Sequence, residues 1–187
     1  MKDVLKRIAP SLRTLGFQGS GQNYRKRDKD FVFIINFQGS RGGDSFFVNL
    51  GAQPIFIPAE GNADVKSLKE YECVFRKRVG EDWPWEISEE IFSQLEREVV
   101  LVQAEFFGNA QTLPEVLATG APHDLLKKFG SEVASSRTVL HLARAAVKLG
   151  HIETAQKLVS LGKELANEQA VIFKSELEKV LGEHPKH

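Results

Sequence analysis

The feature that most restricts the fold is a series of short apolar segments between residues 24 and 79. Tyr24–Arg27, Phe31–Gln38, Phe46–Gly51 and Tyr71–Val79 are rich in aromatic and β-branched residues. Stretches containing Gly and Asp separate the first three, as is usual between strands. These three segments lie too close together for the helical crossovers that join parallel strands. The pattern therefore predicts an antiparallel sheet of four to five strands.

Alternation along two of these segments predicts that the sheet has two different faces. Successive side chains of a strand point to opposite faces. Within residues 31–38, the large apolar side chains of Phe33 and Phe37 would share one face, and Asn36 and Gln38 would lie on the other. Residues 46–51 would likewise place Asn49 opposite Phe46. An antiparallel sheet of this kind packs helices on its apolar face and leaves the polar face in water.

Helical patterns flank the predicted sheet. Residues 2–15 carry apolar side chains at helical spacing, include Pro10 and stop at Gly16. Gly80–Glu86, which contains two tryptophans, is predicted to be a turn, and Ser88 is a good N-cap for a long helix. Further helices are predicted over Leu113–Ala118, Ser136–Leu149, Ile152–Ala166 and Glu168–Leu181.

The order of these elements predicts an α+β fold, in which helices pack on one face of an antiparallel sheet and an antiparallel helical segment follows. We expect an α+β domain over residues 1–120 and a helical segment over 121–187, made of a hairpin and one more helix. The order leaves open whether the second part packs on the first. The run Leu149–Ala155 loosely resembles the turn of a tetratricopeptide repeat, but one such unit does not make an array.

The net charge of zero conceals an uneven distribution. Residues 1–80 carry 14 Lys and Arg against 8 Asp and Glu, whereas residues 81–187 carry 11 against 17. Such asymmetry is a recognised sign of separate charged surfaces. The basic part can be read in two ways: it meets an anionic partner, or it meets the acidic part within one molecule or across a homodimer.

Catalytic and metal-binding patterns are missing from the sequence. No two of the five histidines are four residues apart, and no His-Glu-x-x-His or Gly-x-Ser-x-Gly motif occurs. Cys73, the one cysteine, lies on a predicted strand with Phe75 on the same face, which is typical of a buried small apolar residue. We therefore expect no catalytic residues, no metal site and no cofactor. The histidines are His123, His141, His151, His184 and His187.

Arginines at alternating positions give the predicted polar face its chemistry. Arg25 and Arg27 share one strand face, and Arg76 and Arg78 share another. Guanidinium groups suit carboxylate or phosphate oxygens. The alternative is an ordinary solvated face, with the arginines paired to Glu72, Asp28 or Asp30. The residues expected to bind a ligand or partner are Arg25, Arg27, Asn36, Gln38, Ser40, Asn49, Arg76, Arg78 and Trp85.

These features favour a non-enzymatic cytoplasmic binding module for an acidic protein or an anionic small molecule. An immunity-type or antitoxin-like role would fit such a module. The neutral total charge disfavours nucleic acid as a partner, and no apolar run is long enough for a membrane. Two other classes remain open: a hydrolase or nuclease acting on an anionic substrate near Arg76 and Arg78, and a helical interaction scaffold built on residues 136–181.

Several short motifs follow one another along residues 1–110, and their order is characteristic. They are Leu12–Phe17, Tyr24–Arg27, Phe37–Ser40, Phe46–Gly51, Arg76–Gly80 and the Trp83/Trp85 pair. This set resembles a bacterial family known only as domain of unknown function 4304. The resemblance implies an α+β domain without an established activity, and it supplies no catalytic residues. The helices after about residue 120 lie outside it.

Overall fold

The computed structural model of the chain describes residues 2–129, 135–167 and 169–182. Contacts between Cα atoms divide it into two compact units. The first contains the residues up to Ile55 and Ala59–Gly108; the second contains Phe56–Pro58 and the residues from Asn109 onward. The expected domain boundary near residue 120 stays a prediction about independent folding. Glu168, His184 and His187 lie outside the described residues.

A five-stranded antiparallel sheet forms the centre of the first unit, and its strands follow one another in chain order. The sheet and its flanking helices confirm the predicted α+β fold. The first strand is too short to have been predicted from alternation. The strands are β1 (Gln18–Ser20), β2 (Asn23–Arg27), β3 (Phe31–Gly39), β4 (Ser45–Pro54) and β5 (Phe75–Pro84).

The last strand differs from its prediction at both ends. It begins at Phe75 rather than Tyr71, because Glu70–Glu72 form one turn of 3-10 helix. It then runs through the stretch that was predicted to be a turn. Val48 pairs with Val79 but Phe46 pairs with Trp83, so β5 holds two more residues than β4 over this interval.

Gly80 lies in this irregular interval of β5. Its φ of 61° is in the left-handed region, which glycine adopts without strain. Pairing resumes after it, and Trp83 is buried. The glycine and charged residues after Val79 predicted a turn, but the structure has a bulge there, and β5 continues beyond it.

The core of the first unit lies on the apolar face of the sheet, as alternation predicts. The helices of this unit are α1 (Lys2–Thr14) and α2 (Glu89–Gln111), and they lie on the apolar face. The ring of Phe107 on α2 lies 4.6 Å from the ring of Phe33, centroid to centroid. Ser88 caps α2 as expected, since its Oγ accepts a hydrogen bond from the Ile91 N–H at 3.3 Å. Pro10 lies within α1 without ending it.

The second unit is helical. Its helices α5 (Ser135–Lys148), α6 (Ile152–Leu165) and α7 (Val171–Gly182) pack on one another, and each buries at least one leucine side chain completely. This arrangement confirms the predicted C-terminal helical segment. The sequence did not predict α4, because a glycine and a proline just before it indicated only an end to the preceding helix. The helices are α3 (Leu113–Thr119), α4 (Pro122–Phe129), α5 (Ser135–Lys148), α6 (Ile152–Leu165) and α7 (Val171–Gly182).

None of the helices in the described part of the chain has the length and apolar character that crossing a bilayer requires.

Candidate functional site

The polar face of the sheet brings the predicted arginines and amides into register across β2 to β5. Residues that pair on neighbouring strands form rows, and successive rows on one face lie about 7 Å apart. One row consists of Asn23, Asn36, Asn49 and Arg78. The next row consists of Arg25, Ile34, Gly51 and Arg76. The predicted grouping of amides and guanidiniums on one face is therefore present.

Part of this face is covered by residues 59–74, which we call the covering segment. Leu68 and Cys73 of this segment form a small apolar core with Val32 and Ile34 of β3. Gly51 permits this close approach, because a Cβ atom there would lie 2.7 Å from the Cys73 Sγ. The polar face therefore differs from an ordinary solvated sheet face, because part of it is covered by protein.

Arg25 holds the covering segment in place. Its Nη1 donates hydrogen bonds to the carbonyl oxygens of Val65 at 3.2 Å and Lys66 at 2.5 Å. Its Nη2 donates to the carbonyl oxygen of Leu68. Hydrogen bonds from a charged donor are stronger than neutral ones. Most of the donors of Arg25 are therefore engaged by backbone, which indicates a positioning role.

Beside the covering segment, the sheet opens into a concave pocket of about 780 Å³, which we call the polar pocket. This volume lies in the range of small-molecule sites. Its polar side chains come from β1, β2, β3, β5 and the covering segment. Four of the nine residues expected to bind a ligand line it, namely Arg25, Asn36, Gln38 and Arg76. Its other polar residues are Gln18, Asn23, Ser67, Lys69, Glu70 and Tyr71.

Arg76 is the best-placed cation of the polar pocket. Its Nε donates to Oε1 of Glu70 at 2.8 Å, so Glu70 is its partner rather than any of the three carboxylates expected from sequence. Glu70 is 6% exposed, whereas the side chain of Arg76 is 53% exposed. The two terminal NH2 groups of Arg76 have no hydrogen-bond partner among the described residues. A buried carboxylate thus orients a guanidinium whose fork remains available.

Lys69 and Tyr71 form the exposed rim of the pocket. The Lys69 Nζ lies 5.7 Å from the centroid of the Tyr71 ring. A hydrogen bond with the Tyr71 side chain is the main cause that raises the pKa of Lys69, and Coulomb interactions with Tyr71 and Glu72 add to it. The ammonium therefore stays charged at neutral pH. The pocket lining carries three cations and one carboxylate, which favours an anion.

Three of the other predicted residues lie on the polar face but do not line the pocket. Arg27 is exposed, and its guanidinium makes no hydrogen bond within the part of the chain that the structure describes. Asn49 is buried, and its Oδ1 accepts a hydrogen bond from the Nε of Arg78 at 3.2 Å. The guanidinium of Arg78 also lies 4.1 Å above the ring of Phe47.

The last two predicted residues lie elsewhere. Ser40 is in the β3–β4 hairpin, where its Oγ donates to Oδ1 of Asp44 at 3.4 Å. Trp85 stacks on Phe46 with ring centroids 4.2 Å apart, and Phe46 faces the apolar core. Trp85 is therefore on the opposite side of the sheet from the arginines and adds no stacking surface to the polar pocket.

Cys73 is buried, as predicted, but it precedes β5 and packs against Val32 and Ile34 on the polar face, so the predicted placement on a strand beside Phe75 is wrong. Its Sγ lies 3.6 Å from the carbonyl oxygen of Lys69. Burial strongly raises the pKa of the thiol, and the neighbouring Glu70 raises it further. The thiol therefore stays protonated at neutral pH and is a poor nucleophile. Among the described residues, no cluster of three His, Cys, Asp or Glu side chains is placed to hold a metal ion.

Several pocket residues escaped prediction. Lys69, Glu70 and Tyr71 belong to an irregular stretch, and irregular backbone has no periodicity from which to read a face. Asn23 was accessible to the same reasoning as its neighbours, because it alternates with Arg25 along β2. Extending the strand by one residue would have identified it.

Comparison with known proteins gives one family. The model described as "Domain of unknown function (DUF4304)" matches residues 8–100. No curated protein and no solved structure matches the chain. The matched residues include all five strands, the covering segment and every residue that lines the polar pocket. The chain therefore belongs to the DUF4304 family, through a domain that contains the whole polar pocket.

Proposed function

We propose that the first unit is a non-enzymatic binding module whose polar pocket holds a small anionic ligand. The observation that carries this proposal is the fixed geometry of Arg76. Its Nε donates a hydrogen bond to the buried carboxylate of Glu70, its terminal NH2 groups have no partner among the described residues, and Arg76 lines the pocket. A guanidinium held in this way can donate two parallel hydrogen bonds to a carboxylate or a phosphate.

The other charges of the pocket support an anion. Lys69 adds a second exposed cation at the rim, and Arg25 adds positive potential from beneath the covering segment. Glu70 is the one carboxylate in the lining, and Arg76 already neutralises it. An anion would therefore enter a pocket whose unpaired charges are positive.

The shape of the site supports a small molecule over the acidic surface of a protein. The covering segment rises beside β2 and β3, so the cationic groups lie within a concavity rather than on a flat face. Small ligands bury most of their surface in concave sites. An acidic protein would instead contact exposed cations such as Arg27 and Arg78, which lie outside the pocket.

The test compares two arginine variants by isothermal titration calorimetry with citrate, glucose 6-phosphate and inorganic phosphate. Arg76→Gln removes the fork in the pocket. Arg27→Gln removes the same charge from the same sheet face outside the pocket. We expect Arg76→Gln to weaken binding by about 10-fold to 100-fold, the usual cost of losing a charge-assisted pair, and Arg27→Gln to change it less than about 3-fold.

Two results would contradict the proposal. Equal losses in both variants would show that general attraction to the basic face, not the pocket, holds the anion. No measurable binding of any of the three probes to the intact protein would remove the small anionic ligand from consideration. The interaction scaffold on the C-terminal helices and the antitoxin-like role stay predictions, since no observation in the second unit bears on them.

A further inference from the structure

A chain of directed hydrogen bonds runs along the polar face toward the pocket. The Nε of Arg78 donates to Oδ1 of Asn49 at 3.2 Å. The Nδ2 of Asn49 donates in turn to Oε1 of Gln38 at 2.9 Å. Gln38 lines the polar pocket, whereas Asn49 and Arg78 do not. The chain therefore connects a residue of the pocket to a cation outside it.

The direction of this chain follows from chemistry, because a guanidinium can only donate hydrogen bonds. The Asn49 atom that faces Arg78 must be its oxygen, so the Asn49 NH2 group faces Gln38. The Gln38 atom that meets this NH2 group must then be its own oxygen. The Nε2 of Gln38 is left without a hydrogen-bond partner among the described residues, and it is a donor.

A second amide pair in the pocket is oriented in the same way. The Nδ2 of Asn36 lies 3.5 Å from the carbonyl oxygen of Gln22, which can only accept, and it donates to Oδ1 of Asn23 at 2.8 Å. The NH2 group of Asn23 is thereby left as a donor. Together with Arg76 and Lys69, these amides give the pocket lining several hydrogen-bond donors.

We propose that the polar pocket recognises an elongated oxyanion, in which Arg76 binds the anionic group and Gln38 binds a second oxygen of the same molecule. This inference rests on the proposed function. Arg76 on β5 lies in the same row as Ile34 on β3, two strands away. Gln38 lies four residues further along β3 than Ile34. Strand geometry places the Cα atoms of Arg76 and Gln38 about 16 Å apart. Glu70 holds the Arg76 guanidinium and Asn49 holds the Gln38 amide, so we expect the two donors to meet different oxygens of the ligand.

Asn49 and Arg78 are positioning residues in this proposal. They touch no ligand, but they determine which end of the Gln38 amide faces the pocket. An acceptor at this position would repel the oxygens of the ligand, whereas a donor binds them. The identity of residue 49 therefore sets the specificity of a pocket that it does not line.

The test uses Asn49→Asp, which changes one NH2 group to an oxygen at nearly constant size. The carboxylate introduced there still accepts from Arg78 but cannot donate, so the Gln38 amide must turn and present its oxygen to the pocket. We expect glucose 6-phosphate to bind about 10-fold more weakly. Gln22→Glu, which adds the same charge outside the pocket lining, is the matched control and should change affinity less than about 3-fold.

A double-mutant cycle assigns the effect to Gln38. Gln38→Leu removes the amide, so Asn49→Asp should cost no more in that background than Gln22→Glu costs. In the nitrogen-15 NMR spectrum of the single Asn49→Asp variant without ligand, the side-chain NH2 protons of Gln38 should move downfield. This readout reports the turned amide directly. Should Asn49→Asp not fold, Gln38→Glu at an exposed position offers the same reversal and the same expected loss.

Matched probes test the elongated ligand. We expect citrate to bind at least about 10-fold more tightly than acetate, or glucose 6-phosphate at least about 10-fold more tightly than inorganic phosphate, and Gln38→Leu to reduce that preference. The pair that shows the preference tells a carboxylate ligand from a phosphorylated one. Equal affinity within both pairs would overturn the inference, as would an undiminished effect of Asn49→Asp in the Gln38→Leu background. Either of these results would leave the effect of Arg76→Gln, and with it the proposed function, intact. If none of the probes binds, both the proposed function and this inference are contradicted.

Discussion

Replacing Arg25 with alanine should release the covering segment from the polar face while leaving the sheet intact. The guanidinium of Arg25 donates hydrogen bonds to three carbonyl oxygens, those of Val65, Lys66 and Leu68. Two of these bonds are partly buried and one is exposed. We assign about 1.5 kcal/mol, the lower end of the range for charged donors, to each partly buried bond, and less than about 1 kcal/mol to the exposed one. The expected loss is about 3 kcal/mol.

Hydrogen exchange measured by NMR is the appropriate assay, because it reports opening of one segment rather than unfolding of the whole chain. The Cys73 amide, bonded to the Glu70 carbonyl at 3.0 Å, and the Val74 amide, bonded to Oε1 of Gln53 at 3.2 Å, report on the segment. A loss of about 3 kcal/mol corresponds to exchange about 100-fold faster. The amide of Ile35 on β3 serves as the internal reference and should change little.

Arg27→Ala is the matched control for this experiment. Arg27 lies two residues from Arg25 on the same face of the same strand, and its side chain donates no hydrogen bond to any described residue. We expect its exchange rates to stay within about 3-fold of those of the unmodified chain. Equal acceleration in both variants would refute the positioning role of Arg25. Unchanged exchange in Arg25→Ala would return Arg25 to the ligand-binding role expected from the sequence.

Further predictions concern the small core under the covering segment. Gly51→Ala should lower the free energy of unfolding by about 1–3 kcal/mol, because the added Cβ would lie 2.7 Å from the Cys73 Sγ. The same substitution should lower it by less in a Cys73→Ala background. Additive losses, measured by urea unfolding, would contradict the contact. The folded chain should react slowly with iodoacetamide, and labelling as fast as that of a free thiol would show that Cys73 is accessible. Burial raises the pKa of Cys73 above the 9.0 of an exposed thiol, so its stabilising contribution is complete below pH 9 and lost as the pH rises further. Unfolding measured from about pH 8 to 10 should show a steeper decline in the parent chain than in Cys73→Ala, and parallel profiles would contradict the burial.

Alternation along strands predicted the polar face well, because the period of two depends only on backbone geometry. It placed Asn36, Gln38 and Asn49 on the face opposite the aromatic core. It also placed the arginines of β2 on one strand face and those of β5 on another, and the register of the strands brings these faces together. It did not predict which cations would be free. Arg25 is bound by carbonyl groups of a segment about forty residues away, and no local pattern contains that contact.

The covering segment and the bulge in β5 account for most of what the sequence did not predict. Glu70, which orients Arg76, lies one residue before the predicted start of the last strand at Tyr71, and the structure places both residues in a 3-10 turn. Trp85 was expected near the arginines when the last strand was predicted to end at Val79 and Trp85 to lie in the turn that follows. Once a bulge carries the strand beyond Gly80, Trp85 falls beside Phe46 on the core side. Both differences arise where tertiary contacts, rather than local preference, determine the backbone.

Chemical-shift mapping of the intact chain during titration with glucose 6-phosphate tests the central claim most directly. If the polar pocket binds an anion, the backbone amides of Lys69–Tyr71 and Arg76 and the side-chain amide of Gln38 should shift together, at one saturating concentration. The same titration of Arg76→Gln should leave these signals in place. Shifts centred on Arg27 or on the C-terminal helices, or an Arg76→Gln chain that responds as the parent does, would contradict the account.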